Sequence, residues 1–318
     1  MEDCPTSDRK SAPPCVIVYG SLRSGTTMLR LMLDGHPELT CSGESDFLFD
    51  HLRSDPSGCS YDINGLKADW LYQTSAVTWP EGLDGTAALF DMVDQLSDGQ
   101  GRSVLMLHRR MDLVAKHFPG IPVIHLNRDP RDVARSSIGM GWAGNVYHGC
   151  DHWVESQSAW DRFQAANHSN PVLELSYEDL VADPIAELTR LCQFVSLDYD
   201  PAMLSYPAHS TYDPPDAALA FQWKQKLSTR EIGLIETRLG PMLAAAGYEP
   251  SGVPAVAVKG ILALKLAVQN RIAIWQRMVS QFGLTAPAAR SIGRRFGLSR
   301  VERYGTVKIG EMQTKYVK

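Results

Sequence analysis

The segment Val16-Ile-Val-Tyr-Gly20-Ser-Leu-Arg23-Ser-Gly25-Thr-Thr-Met-Leu-Arg-Leu-Met-Leu33 constrains the fold more than any other part of the chain. Cys15 to Tyr19 is a short, apolar, β-branched run, which reads as a buried strand ended by Gly20. Met28, Leu29, Leu31, Met32 and Leu33 then supply the apolar residues of a helix, with Gly35 where it stops. Between them, Gly20-x-x-x-x-Gly25-Thr26-Thr27 nearly repeats the phosphate-loop spacing G-x-x-x-x-G-K-[ST]. Thr26 stands where that loop has its lysine, and a basic residue appears earlier, at Arg23. A helix N-terminus made of small residues still presents backbone N–H groups to an anion. The hydroxyls of Ser24, Thr26 and Thr27 add donors. One phosphate therefore suits the loop, whereas a nucleoside triphosphate would lack a main counter-charge.

Further strands are expected at 104–107, 122–127 and 172–177, each followed by a helical stretch. That alternation predicts an α/β fold: a phosphate-loop-like parallel central sheet with helices on both faces. Ligands then bind at the carboxyl ends of the strands, where Arg23, Arg109 and Arg128 all fall. Arg128-Asp-Pro-Arg-Asp132 opens a helix made slender by Ala134, Ser136, Ser137, Gly139 and Gly141, so something must approach it closely. Arg128 and Ser136, eight residues on, suit a second anion, with the arginine bidentate. Ser228-Thr-Arg-Glu231 is a capping box that starts another helix.

These residues carry a resemblance. Arg23-Ser-Gly-Thr-Thr after a strand is similar to the 5′-phosphosulfate loop of sulfotransferases, which use 3′-phosphoadenosine 5′-phosphosulfate (PAPS). The longer run from Arg23 through His36-Pro37 to Glu44 looks most like protein-tyrosine sulfotransferases and their bacterial relatives. The resemblance implies that Ser24, Gly25, Thr26 and Thr27 hold the 5′-phosphate and that Arg128 with Ser136 holds the 3′-phosphate. It implies that Glu44, 21 positions after Arg23, is the general base. His108-Arg109-Arg110 occupies the place of the family's lysine at the transferring group, so Arg109 or Arg110 takes that role with Arg23, and Arg109 is slightly favoured. Tyr177 matches a nucleotide-contacting tyrosine, and equally suits a buried sheet end. Ser210 and Lys226 match a cofactor-covering loop and its Trp-x-x-Lys segment. The family's tyrosine enzymes have a second acid before the base and an arginine two positions after it. Here those places are Gly43 and Asp46. The implied reaction is sulfuryl transfer to a hydroxyl of a small-molecule, glycan or peptide acceptor, with no metal and no nucleic acid. A kinase would need the missing lysine and a magnesium-binding acid. A non-catalytic nucleotide- or anion-binding protein is the other alternative.

Charge divides the 318 residues. Residues 255–318 carry 12 Lys or Arg against Glu302 and Glu311, a net +10 in a chain of −5, so the remainder carries −15. The expected organisation is a disordered leader over 1–14 and a sulfotransferase domain over 15–250, with 45–103 an irregular helical insertion on the acceptor side. A basic, mainly helical extension over 251–318 completes it. Ile261 to Arg277 reads as an amphipathic basic helix. Packing on the acidic body or on a second copy, as a homodimer, is the first expectation for it. A lid and peripheral contact with an anionic membrane are the others. Six dispersed cysteines without a C-x-x-C pair offer no zinc pattern. The polar start and the lack of a long apolar run point to a cytoplasmic protein without a membrane span.

Overall fold

A computed structural model describes residues 12–55, 58–97, 99, 101–166 and 169–313. The leader expected over 1–14 therefore lies, through residue 11, outside the described residues. In chain order the first elements are β1 (Cys15–Gly20), α1 (Thr26–Asp34), β2 (Leu39–Thr40), α2 (Phe47–Asp50), β3 (Leu52–Asp55) and β4 (Gly58–Tyr61). Next come α3 (Ile63–Ala68), α4 (Trp70–Thr74), α5 (Gly85–Gln95), β5 (Arg102–Leu107), α6 (Met111–His117) and β6 (Val123–Asn127). Helices α7 (Pro130–Gly139), α8 (Val146–Gly149) and α9 (Asp151–Ala166) precede β7 (Val172–Ser176), α10 (Tyr177–Ala182) and α11 (Pro184–Phe194). The chain continues through α12 (Trp223–Lys226), α13 (Thr229–Leu239), α14 (Met242–Ala245), α15 (Gly260–Phe282), α16 (Thr285–Phe296) and α17 (Ser299–Gln313).

The residues divide into two compact units, 1–129 with 155–221, and 130–154 with 222–318. The first holds a parallel sheet in the order β2-β5-β1-β6-β7. β1 is buried at all six positions, as a strand covered on both faces must be. Its side chains alternate between two apolar clusters. Cys15, Ile17 and Tyr19 join α2, α5, α6 and α9 on one face. Val16 and Val18 join α1, α10 and α11 on the other. Sheet order runs outward from β1 in both directions, so the carboxyl end of β1 lies where the order reverses, the usual ligand crevice of an open parallel sheet.

The expected strands are present, and Tyr177 begins α10 directly after β7. Among the described residues the 45–103 stretch holds helices α2 to α5 and also an antiparallel hairpin of β3 with β4. That hairpin was not legible in the sequence. Only Leu52 and Tyr61 of its eight residues are buried, and β-branched residues are missing from both strands.

In the second unit, Val133, Ala134, Val146, Cys150, Trp153, Ile235 and Leu266 share a core from α7, α8, α9, α13 and α15. The slender face of α7 has its close neighbour there: a Cβ built on Gly149 would lie 2.5 Å from the Ala134 carbonyl. Arg131 is buried, pairs with Glu236 at 2.8 Å and stacks on Trp223 at 3.7 Å. Among the described residues no helix is long and apolar enough to cross a membrane.

Candidate active site

The loop 20–27 turns on its own polar groups. Both the N–H and the hydroxyl of Ser24 donate to the Ser21 carbonyl, at 3.1 and 2.6 Å. In this structure the buried Ser24 hydroxyl, read from the sequence as a donor to an anion, is used in shaping the loop. Arg23 adopts a left-handed backbone, φ 72°, and Gly25 follows at φ 98° as the N-cap of α1. No side chain caps that helix, so its first N–H groups face the loop without an internal side-chain acceptor. A Cβ at Gly25 would sit 2.4 Å from the Tyr177 ring, so glycine is required twice, by φ and by space.

Tyr177 is thus the floor of the loop. The Arg128 guanidinium lies 3.9 Å from the centre of the same ring and donates to the Arg23 carbonyl at 3.2 Å. Its Nη2 donates to Leu219 O at 3.3 Å, which ties the 206–221 segment to this end of the sheet. Burial lowers the Arg23 guanidinium from its ordinary value, with neighbouring Arg128 acting in the same direction.

The carboxyl end of β5 supplies a second set of groups. Glu44 pairs with Met106 in an isolated parallel bridge, and the Ser45 N–H donates to Met106 O at 2.9 Å. This brings Glu44 and Asp46 beside His108, with one carboxylate oxygen of each and one ring nitrogen mutually within 4.8 Å. Asp46 is 1% exposed. Its Oδ1 accepts the His108 backbone N–H at 3.0 Å and its Oδ2 accepts from Nδ1 at 2.8 Å. Nε2 is left 3.3 Å from the Thr26 hydroxyl, at the start of α1. A chain Asp46–His108–Thr26 therefore connects the carboxylate to the 20–27 loop. With Nδ1–H held by Asp46, a neutral ring accepts the Thr26 proton, and a protonated ring donates to Thr26 and turns that proton toward the loop. Glu44 itself is exposed at the edge of this cluster.

The two arginines after His108 separate. Arg109 donates from Nε to Asp50 Oδ1 at 2.7 Å and from Nη2 to Asp50 Oδ2, and its Nη1 lies 3.9 Å from Asp46. The Asp50 hydrogen bonds raise it above its ordinary value. Arg110, at φ 62°, donates to Phe49 O at 2.8 Å and lies 3.6 Å from the Asp112 carboxylate. The first unit thus brings together Arg23, Gly25, Thr26, Arg128 and Tyr177, with Glu44 and Arg109 beside Asp46 and His108. Thr27 follows in the first turn of α1. Ser210, in the same unit, accepts the Tyr212 N–H at 3.2 Å. Ser136 in α7 and Lys226 in α12 belong to the second unit, where Lys226 donates to Gln222 at 3.1 Å. Asp46 and His108 were not singled out from sequence. They stand 62 residues apart, and no spacing rule links an aspartate in one loop to a histidine in another.

An α/β protein with a glycine loop at the carboxyl end of its central parallel strand is what these elements define. The chain belongs to the sulfotransferase family: the model described as Sulfotransferase family matches residues 14–201. Protein-tyrosine sulfotransferase A of Caenorhabditis elegans is 24% identical over 272 residues, covering 76% of this chain and 69% of that protein. Protein-tyrosine sulfotransferase 1 of Danio rerio is 23% identical over 277 residues, covering 76% and 74%. The sulfotransferase domain from the curacin biosynthetic pathway shares the fold at TM-score 0.56 and 18% identity, over 76% of this chain and 99% of that one. The sulfotransferase domain of the Synechococcus PCC 7002 olefin synthase does so at TM-score 0.54 and 23% identity, over 74% and 98%.

Proposed function

We propose that the chain transfers a sulfuryl group from PAPS to a hydroxyl of an acceptor by in-line displacement. The observation that carries this reading is the loop itself: uncapped N–H groups at α1, Arg23 and Arg128 at its rim, and threonine where a triphosphate loop needs lysine. The donor set fits a phosphate ester bearing one further anionic group. The α1 amides and Thr27 hold the 5′-phosphate, and Arg128 over Tyr177 neutralises the nucleotide's other phosphate. Arg23 and Arg109 stabilise charge that develops on the transferring group and the oxygen it leaves. Preorganised donors of this kind contribute about 3–4 kcal/mol each. Glu44 takes the acceptor proton as the new S–O bond forms and the bond to the 5′-phosphate oxygen breaks. Its exposed position beside the buried Asp46–His108 pair supports that role, because the acceptor must reach the base from solvent. Phenolic hydroxyls, as in peptidyl tyrosine, are the first acceptors to assay, given the names of the curated relatives.

Transfer of labelled sulfate from PAPS to a set of phenolic, alcoholic, saccharide and peptide acceptors tests the reading. Glu44→Gln is expected to lose about 10²–10⁴ in turnover while it still binds the product adenosine 3′,5′-bisphosphate (PAP). Full rate in that variant removes Glu44 from the base role. Absence of PAPS and PAP binding in the unaltered protein overturns the donor assignment.

A further inference from the structure

The helix α15 has two faces of opposite use. Leu266 is buried in the core of the second unit, and its carbonyl accepts from Asn145 Nδ2 at 2.8 Å. Asn270, four residues on, accepts the Gly144 N–H at 2.7 Å, and the Arg277 stem lies over Gly141. That face is docked. The other face carries Ile261, Leu264, Val268, Ile272 and Trp275, at steps of three and four residues, all exposed. Such steps line up on one side of a helix. Ile261 is 87% and Leu264 65% exposed, so this is a standing apolar stripe and not a partly covered core edge.

The charges beside the stripe are of one sign. At about 100° per residue, Lys265 falls on one flank and Arg271 on the other, and both are exposed. Between Glu249 and Glu302 the chain has no Asp or Glu at all, while Lys259, Lys265, Arg271, Arg277, Arg290, Arg294, Arg295 and Arg300 lie in that interval. A second copy seated on the stripe would bring cation against cation with no acid in the helix to answer them. A surface of anionic headgroups above acyl chains answers both features, since apolar side chains enter the acyl boundary and flanking cations meet the phosphates.

We propose that the exposed face of α15 is a peripheral binding surface for anionic lipid bilayers, with Ile261, Leu264, Val268, Ile272 and Trp275 inserting and Lys265 and Arg271 pairing with headgroups. This surface holds the enzyme at a membrane without spanning it.

The test is co-sedimentation of the full chain with vesicles of phosphatidylcholine alone or with one third phosphatidylglycerol. Binding is expected to the anionic vesicles only, to weaken as salt rises, and to shift Trp emission to the blue, a shift that Trp275→Phe diminishes. Lys265→Gln with Arg271→Gln, two exposed polar changes that leave the docked face untouched, should weaken binding by about fivefold for each cation removed. Leu264→Glu with Ile272→Glu should weaken it at least about tenfold, with an unchanged far-ultraviolet circular dichroism spectrum. No binding to anionic vesicles, or equal binding to neutral ones, overturns the proposal. So does binding that survives both double substitutions. A solution dimer that Leu264→Glu with Ile272→Glu dissolves assigns the stripe to a second copy instead and likewise overturns it.

Discussion

Replacing Asp46 by asparagine separates the charge of this side chain from its shape. In the native arrangement one buried carboxylate accepts two hydrogen bonds from His108, from the backbone N–H at 3.0 Å and from Nδ1 at 2.8 Å. An asparagine has a single acceptor oxygen. If that oxygen keeps the backbone N–H, the amide NH₂ faces Nδ1, and the ring must move its proton to Nε2 to accept it. The Thr26 hydroxyl, 3.3 Å from Nε2, then becomes the acceptor in that contact. If the proton stays on Nδ1, two donors face each other in a dry site. Either way a charge-assisted bond is lost, and in the second case a buried polar group is also left mismatched, at a cost of about 1–3 kcal/mol. Urea unfolding of Asp46→Asn and the unaltered chain measures that cost. PAP titration reads the effect on the loop, where one redirected hydroxyl bond is expected to change affinity about fivefold, the equivalent of about 1 kcal/mol. A variant with unchanged unfolding midpoint and unchanged PAP affinity would refute the Asp46–His108–Thr26 connection.

Other perturbations follow from the same geometry. Gly25→Ala places a Cβ at φ 98° and 2.4 Å from Tyr177. It should cost about 1–2 kcal/mol for the left-handed backbone plus about 1–3 kcal/mol for the overlap, and Tyr177→Ala in the same chain should relieve only the second part, read by denaturation midpoints. Arg109→Ala is expected to lower turnover about 10²–10³-fold with little loss of stability. Arg110→Ala should instead destabilise by about 1 kcal/mol through its bond to Phe49 O, and a reversed pattern in paired rate and unfolding measurements would exchange their roles. Burial lowers the His117 imidazole from 6.5. The unfolded chain therefore binds more protons there just below pH 6.5, so stability falls as pH drops through that window. His117→Gln, compared above and below that pH by chemical denaturation, should flatten the dependence.

What the sequence by itself determined is the part whose physics is contiguous. A β-branched run, a small-residue loop and an apolar-periodic helix specify one another within twenty or so residues, so β1, the glycine loop and α1 were legible with nearly their observed bounds. The same holds for Arg128 at the end of β6 and for the capping box that opens α13, where the Ser228 and Glu231 side chains each accept the other's backbone N–H. Tertiary structure decided the rest, because it depended on which strand ends lie side by side. The sheet places β5 beside β1, and the register of Glu44 with Met106 then draws Asp46 across 62 residues to His108 and points that ring at Thr26. It also turned Arg109 toward Asp50 and Arg110 toward the α2 backbone, a choice that two adjacent arginines do not encode. Ser24 kept its place in the loop but spent its hydroxyl inside it. Local patterns set backbone form through sterics and periodicity, whereas the pairing of distant charged groups is set by strand adjacency, which only the folded sheet establishes.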